Sequence, residues 1–96
     1  MPTVRRLPDF ADWLRDLRDA RAVARIGLRL DRLKLGNPGQ CRGVGDDVHE
    51  MKIDYGPGYR VYFTNRGAEL IILLCGGDKS TQENDIVRAK KLAKTV

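Results

Sequence analysis

"KIDYGPGYRVYF", residues 52–63, decides the reading of this chain. Two strand-like runs flank Gly56-Pro57-Gly58, a cluster of turn-forming residues. A three-residue connection with Gly58 in the left-handed position of a bulged turn pairs Tyr55 with Tyr59, Asp54 with Arg60 and Lys52 with Tyr62. Side chains alternate across a strand, so Glu50, Lys52, Asp54, Arg60, Tyr62 and Thr64 share one face. Met51, Ile53, Tyr55, Tyr59, Val61 and Phe63 share the other. A four-residue loop would mix the two sets, and the segregation favours three. The apolar face is then the one that packs, and the polar face is expected to lie open.

Working outward, "VHEMKIDY" and "YRVYFT" alternate and "AELIILLC" is nearly all apolar, as suits a strand buried on both faces. These runs read as an antiparallel meander, with "NRG" (65–67) as its second turn. "GNPGQCRGVGDD" (36–47) reads as a loop. Towards the N-terminus, "TVRRL" (3–7) suits a short first strand. Asp9 is the expected N-cap of a helix carrying Phe10, Trp13, Leu14 and Leu17 at helical spacing. Asp19 caps a second helix, with Val23, Ile26, Leu30 and Leu33 on one face and Arg21, Arg25, Arg29 and Arg32 turned away; Gly36 and Asn37 end it. The two helices are expected to form an antiparallel hairpin. Ser80 and Glu83 read as a capping box for a final helix to about Lys94, with Ile86, Ala89 and Ala93 as its sparse apolar positions. The fold class is therefore α+β: an N-terminal helical hairpin on an antiparallel β-sheet meander, with a C-terminal helix. Residues 1–96 are read as one domain.

Composition narrows the function classes. The chain is 42% hydrophobic and 32% charged, with a formal charge of +5. Nothing approaches a membrane-spanning run, and "MPTVRRLPDF" lacks an apolar signal core, so a cytoplasmic protein is expected. Cys41 and Cys75 lack metal-ligand spacing, so no metal and no cofactor are expected; Cys75 reads as a buried thiol and Cys41 as a loop residue. Basic residues outnumber acidic ones in 1–35 and 59–96, which points to nucleic acid or an acidic protein partner. "GGDKST" is no phosphate-binding loop, because Asp78 separates Gly77 from Lys79.

"FADWLRDLRDARAVARIGLRLDRLKLGNPGQCRGVGDDVHEMKIDYGPGYRVYF" followed by "LLCGGDKSTQENDI" resembles the addiction-module killer proteins, the HigB-like branch of the RelE/ParE superfamily of type II toxins. "YGPGYRVYF" and "GGDKSTQ" carry the resemblance to that branch, and "GYR" the resemblance to the superfamily. It implies the RelE/ParE toxin fold and a toxin neutralised by a cognate antitoxin, a helix-turn-helix protein of HigA type. It also implies, for the RelE branch, metal-independent cleavage of mRNA on the ribosome. ParE-type relatives inhibit DNA gyrase without such cleavage.

Lys52, Arg60 and Lys79 stand where the RelE pattern has its catalytic basic residues. The RelE tyrosine falls near Asp85, where this chain has none. Cleavage by a ribose 2′-hydroxyl needs a base, donors for the phosphorane and an acid for the leaving oxygen. Arg60 suits the phosphate, with a planar fork that donates two hydrogen bonds. Lys79 is a second cation or a proton donor. Lys52 is a candidate base where neighbouring cations favour a neutral amine. Glu50 and Asp54 are the alternatives, with Asp85 and His49 as further candidates for proton transfer. Alternation places His49 with Met51 and Ile53, towards the core. Tyr62 is expected to stack on a base, and Arg88 and Lys91 to bind RNA.

Overall fold

A computed structural model describes residues 2–96. The elements are β1 (Thr3–Arg6), α1 (Pro8–Asp16), α2 (Ala20–Lys34), β2 (Cys41–Gly45), β3 (Val48–Ile53), β4 (Tyr59–Arg66), β5 (Leu70–Gly77) and α3 (Gln82–Ala93), with a short 3-10 turn over Lys79–Thr81. One five-stranded sheet has the order β1-β5-β4-β3-β2. Strands β2 to β5 form the antiparallel meander, and β1 joins its edge in parallel with β5. The expected α+β arrangement holds: N-terminal helices, a mostly antiparallel sheet and a C-terminal helix.

The helix boundaries follow local chemistry. Pro8 occupies the first turn of α1 and Leu7 the N-cap, so Asp9 sits inside the helix instead of capping it. Proline's fixed φ suits that place, and its missing N–H is not needed there. Asp19 caps α2 as expected, accepting from the backbone N–H groups of Arg21 and Ala22. Gly36 N–H to Leu33 and Asn37 N–H to Arg32 close α2 with a Schellman motif. The two helices touch the sheet more than each other, α1 lying mainly on β5 and α2 on β3. Ahead of α3, Asp78 caps the 3-10 turn by accepting from the Ser80 N–H and hydroxyl; the N-cap of α3 is Thr81, with no side-chain capping bond, so the capping box of Ser80 and Glu83 does not form.

Three features differ from the sequence reading. First, residues 41–45 form a strand, because Asp46 and Asp47 both take positive φ, 55° and 60°, and close a tight hairpin to Val48. Such turns usually advertise themselves with glycine, and this pair does not. Cys41 is therefore a strand residue, half-buried. Second, the β3–β4 register pairs Lys52 with Arg60, Ile53 with Tyr59 and Glu50 with Tyr62. The loop spans five residues, 54–58, tied by Tyr55 N–H to Ile53 and Gly58 N–H to Tyr55. The slip is two residues, so the parity of the faces survives. Gly58 has a φ of 77°, as the turn requires. Similarly, β4 runs on through Arg66 and the next turn falls at 67–69.

Third, the polar face is covered. One layer of core lies under α1 and α2, around Phe10, Ile26, Leu30, Met51, Val61 and Leu73. A second lies under α3, around Val48, Tyr62, Ile72, Leu74, Cys75, Ala89 and Ala93. Small side chains at 89 and 93 let α3 settle close to the strands. Arg66 donates to the carbonyls of Ala93 and Val96, at 2.7 and 2.9 Å, and Arg88 pairs with Asp9 at 2.9 Å. Helix α3 is thus anchored to β4 at its far end and to α1 at its middle.

Candidate functional site

Between β2, β3, β4 and the start of α3 lies a groove of about 460 Å³, lined by Gln40, Cys41, Arg42, Glu50, Lys52, Arg60 and Gln82. Arg60 forms part of its floor. Its residue is only 6% exposed, and its Nη1 donates to the Gly58 carbonyl at 2.5 Å. Its Nε is buried without any hydrogen-bond partner, and no carboxylate pairs with it among the described residues. A buried cation with open donors is costly for a fold, and a bound anion is the chemistry that would satisfy it. Lys52 is its cross-strand neighbour and half-buried. Lys79 is exposed, and its backbone N–H donates to the Pro57 carbonyl. A Cβ built on Gly58 would lie 2.9 Å from Arg60 Nη1 and 3.7 Å from Lys79 Cβ, so the Lys79 backbone abuts this turn while its side chain lines a separate cleft with Ser80 to Asn84.

Glu50 is buried at 4% exposure. Its carboxylate accepts from Arg42 Nε, Tyr62 Oη and Gln82 Nε2, each at 2.9 Å. Burial pushes its pKa up, but the bonds from Arg42, Gln82 and Tyr62 outweigh it and hold the carboxyl below its ordinary value. A carboxylate so engaged is a weak base, and its role is to position Arg42 and the first turn of α3. Burial, then the bond to Glu50, pushes the Tyr62 phenol far up, so it stays a neutral donor. Tyr62 is fully buried, and its ring has no face open for stacking on a base.

The other proton-transfer candidates lie elsewhere. Asp54 falls in the loop and lines a cleft on the α2 side with Arg25, Leu28, Arg29 and Arg32, not the face it was read to share with Lys52. His49 is on that same side of the sheet, as alternation indicated, stacked on Phe63 with ring centroids 5.3 Å apart. Asp85 is buried, accepts from the Thr81 hydroxyl at 2.5 Å and lies over Gly77, the cross-strand neighbour of Arg60. It therefore borders the floor of the groove without lining it. Arg88 is engaged with Asp9. Lys91 is exposed, roughly 13 Å along α3 from Gln82 by helix rise.

Two site features escaped the sequence reading. Arg42, cross-strand from Glu50, presents a 62% exposed side chain whose orientation that carboxylate sets through Nε. Reading Asp46-Asp47 as a two-residue turn would have found the strand but set Gly43 opposite Glu50; the bulge between Gly43 and Gly45 is what brings Arg42 there. Arg29, expected to face outward, is turned in and donates to the carbonyls of Lys52, Pro38 and Gln40. It ties residues 38–40 to the end of β3 and so frames the groove.

The phage-derived protein Gp49-like family (DUF891) has a model that matches residues 12–95. The chain belongs to this family. A Haemophilus influenzae protein described as uncharacterized is 52% identical over 84 residues, 88% of this chain and 85% of that protein. No solved structure matches the chain. The Gp49-like match runs from α1 to α3 and takes in every residue that lines the groove.

Glu50→Gln should destabilise this Gp49-like protein by about 2 kcal/mol at neutral pH, since an amide cannot accept from all three donors. Folded Glu50 ionises below 4.5, its ordinary value, so the unfolded chain binds the proton more readily. The stabilisation is complete above about pH 4.5 and is lost as pH falls through the lower folded value. Urea titrations from pH 3 to 7 should show wild type converging on Glu50→Gln at the acid end.

Proposed function

We propose that this chain is the toxin of a type II toxin–antitoxin system with the RelE/ParE toxin fold. In this reading it is a ribosome-dependent endoribonuclease that cleaves mRNA by 2′-hydroxyl attack on the adjacent phosphodiester. The observation that carries the proposal is the buried Arg60, without an ion-pair partner among the described residues, in a groove shared with Lys52. Open guanidinium donors, fixed before substrate arrives, suit the charge that builds on a phosphorane. Lys79 adds a second cation from the neighbouring cleft. The RelE pattern supports the same three residues, and its reaction needs no metal.

Proton transfer then falls to Lys52 and Lys79, because Glu50 is saturated and Asp54 and His49 lie on the other side of the sheet. Arg42 is an additional phosphate contact on the groove wall. The partners in this reading are the ribosome with its mRNA and a HigA-like antitoxin, and the location is cytoplasmic. The lack of a tyrosine near Asp85 favours, as a second reading, a non-enzymatic toxin that inhibits gyrase, or an antitoxin-binding module with a degenerate active face.

Induced expression separates these readings. The nuclease should arrest growth and produce discrete primer-extension stops within translated messages, with gyrase supercoiling unaffected. Arrest with intact messages and lost supercoiling would replace the nuclease by the gyrase inhibitor.

A further inference from the structure

Helix α2 has a second stripe that neither core uses. Arg18, Arg21, Arg25, Leu28, Arg32 and Leu35 recur at alternating spacings of three and four, from just before α2 to its C-cap. All six are exposed, and they lie roughly 120° round the helix from the core residues Ala22, Ile26, Leu30 and Leu33. Leu28 is 60% and Leu35 69% exposed, the two highest values among the large hydrophobic residues left exposed. A face that merely meets water has no use for leucines at the inner positions of a three-four repeat. Beside the stripe lies a cleft of about 250 Å³ between α2 and the end of β3, lined by Arg25, Arg29, Arg32 and Asp54. Arg29 is taken up by backbone carbonyls, and Arg25 lies over the Tyr55 ring with its charge unpaired among the described residues.

We propose that this stripe docks an acidic amphipathic helix of a protein partner, its leucine-type side chains meeting Leu28 and Leu35 and its carboxylates meeting the arginines. The spacing is that of a helix-on-helix seam, in which apolar knobs repeat every three and four residues. Charge decides between occupants. A second copy of this chain would bring arginine rows against one another. RNA would satisfy the arginines but leave both leucines without a partner. Only an acidic, apolar helix matches both features. The surface is on the opposite side of the sheet from the groove, so occupancy does not require an empty groove. The inference does not depend on the nuclease reading, although an antitoxin would be one source of such a helix.

The test uses the full chain and three probes: a synthetic helical peptide with leucine at three-four spacing flanked by glutamate, the same peptide with lysine for glutamate, and a single-stranded oligonucleotide. The acidic peptide should shift amide resonances along α2. Leu28→Asp and Leu35→Asp, both at exposed positions, should each weaken it roughly tenfold. Arg25→Glu with Arg32→Glu should weaken it further and remove its salt dependence. The lysine peptide should not bind. Equal binding of the acidic peptide by wild type and Leu28→Asp would overturn the proposal. So would its failure to bind, or an oligonucleotide that shifts the same α2 resonances regardless of Leu28. Loss of message cleavage in a separate assay would leave the peptide result standing, so failure of the nuclease reading and failure of this one are distinguishable.

Discussion

Arg60→Met should move stability and activity in opposite directions. Methionine fills much of the same volume without a charge, and it removes a buried cation whose Nε has no partner. Replacing unpaired buried charge by apolar volume is neutral or stabilising, so the urea midpoint should hold or rise. Message cleavage should fall by a hundredfold or more, the effect of about 3 kcal/mol lost at a phosphorane-binding donor. Arg60→Lys keeps the charge but not the planar fork, and should recover only part of the rate. A purely structural arginine would behave otherwise: its loss would cost stability and leave toxicity intact. Alanine is the poorer substitution here, because Arg60 is buried and truncation would leave a cavity.

Gly77→Ala should be among the most damaging single changes in the chain. A Cβ there would collide with the Asp85 carboxylate and stand 3.0 Å from the Thr81 hydroxyl. The head of α3 would have to lift from the sheet, at a cost of roughly 3 kcal/mol. Gly77 is also the cross-strand neighbour of Arg60, so the displacement reaches the groove. Cleavage should decline with stability in this variant, in contrast to Arg60→Met. Gly76→Ala should do comparable harm on the other face, where a Cβ would run into the Trp13 ring. Thermal melts of the two variants, compared with an exposed control such as Gly43→Ala, measure both effects; nothing lies within 4 Å of a Cβ at Gly43.

The alternation of residues 48–64 announced two strands with segregated faces, and that much held even though the register lay two residues away. Period two fixes parity but not pairing, and the bonds that set the pairing belong to the turn itself. Strand β2 was hidden because Asp46-Asp47 carries no glycine signal, and with it went the pairing of Arg42 with Glu50. The burial of the polar face was hidden for a different reason. Ala89 and Ala93 read as a weak apolar stripe, yet small side chains are what let a helix lie close enough to enclose Tyr62, Glu50 and Arg60. Lys52 and Arg60 did come together, and the Lys79 backbone met the turn beside Arg60 without its side chain lining the groove. Glu50 came with Lys52 and Arg60, its carboxylate already taken up by three donors, while Asp54 left the strand for the loop and Asp85 turned onto Gly77.

The central claim is that the Arg60 groove directs a ribose 2′-hydroxyl against its own phosphate. Its most direct test is a reconstituted ribosome complex carrying a message with a single 2′-deoxy nucleotide at the mapped cleavage position. The account predicts that wild-type protein cuts the all-ribose message to leave a 2′,3′-cyclic phosphate, and leaves the 2′-deoxy message whole at that position. Cutting of the 2′-deoxy message at the same rate, or a ribosome complex left intact by folded wild-type protein, would contradict it.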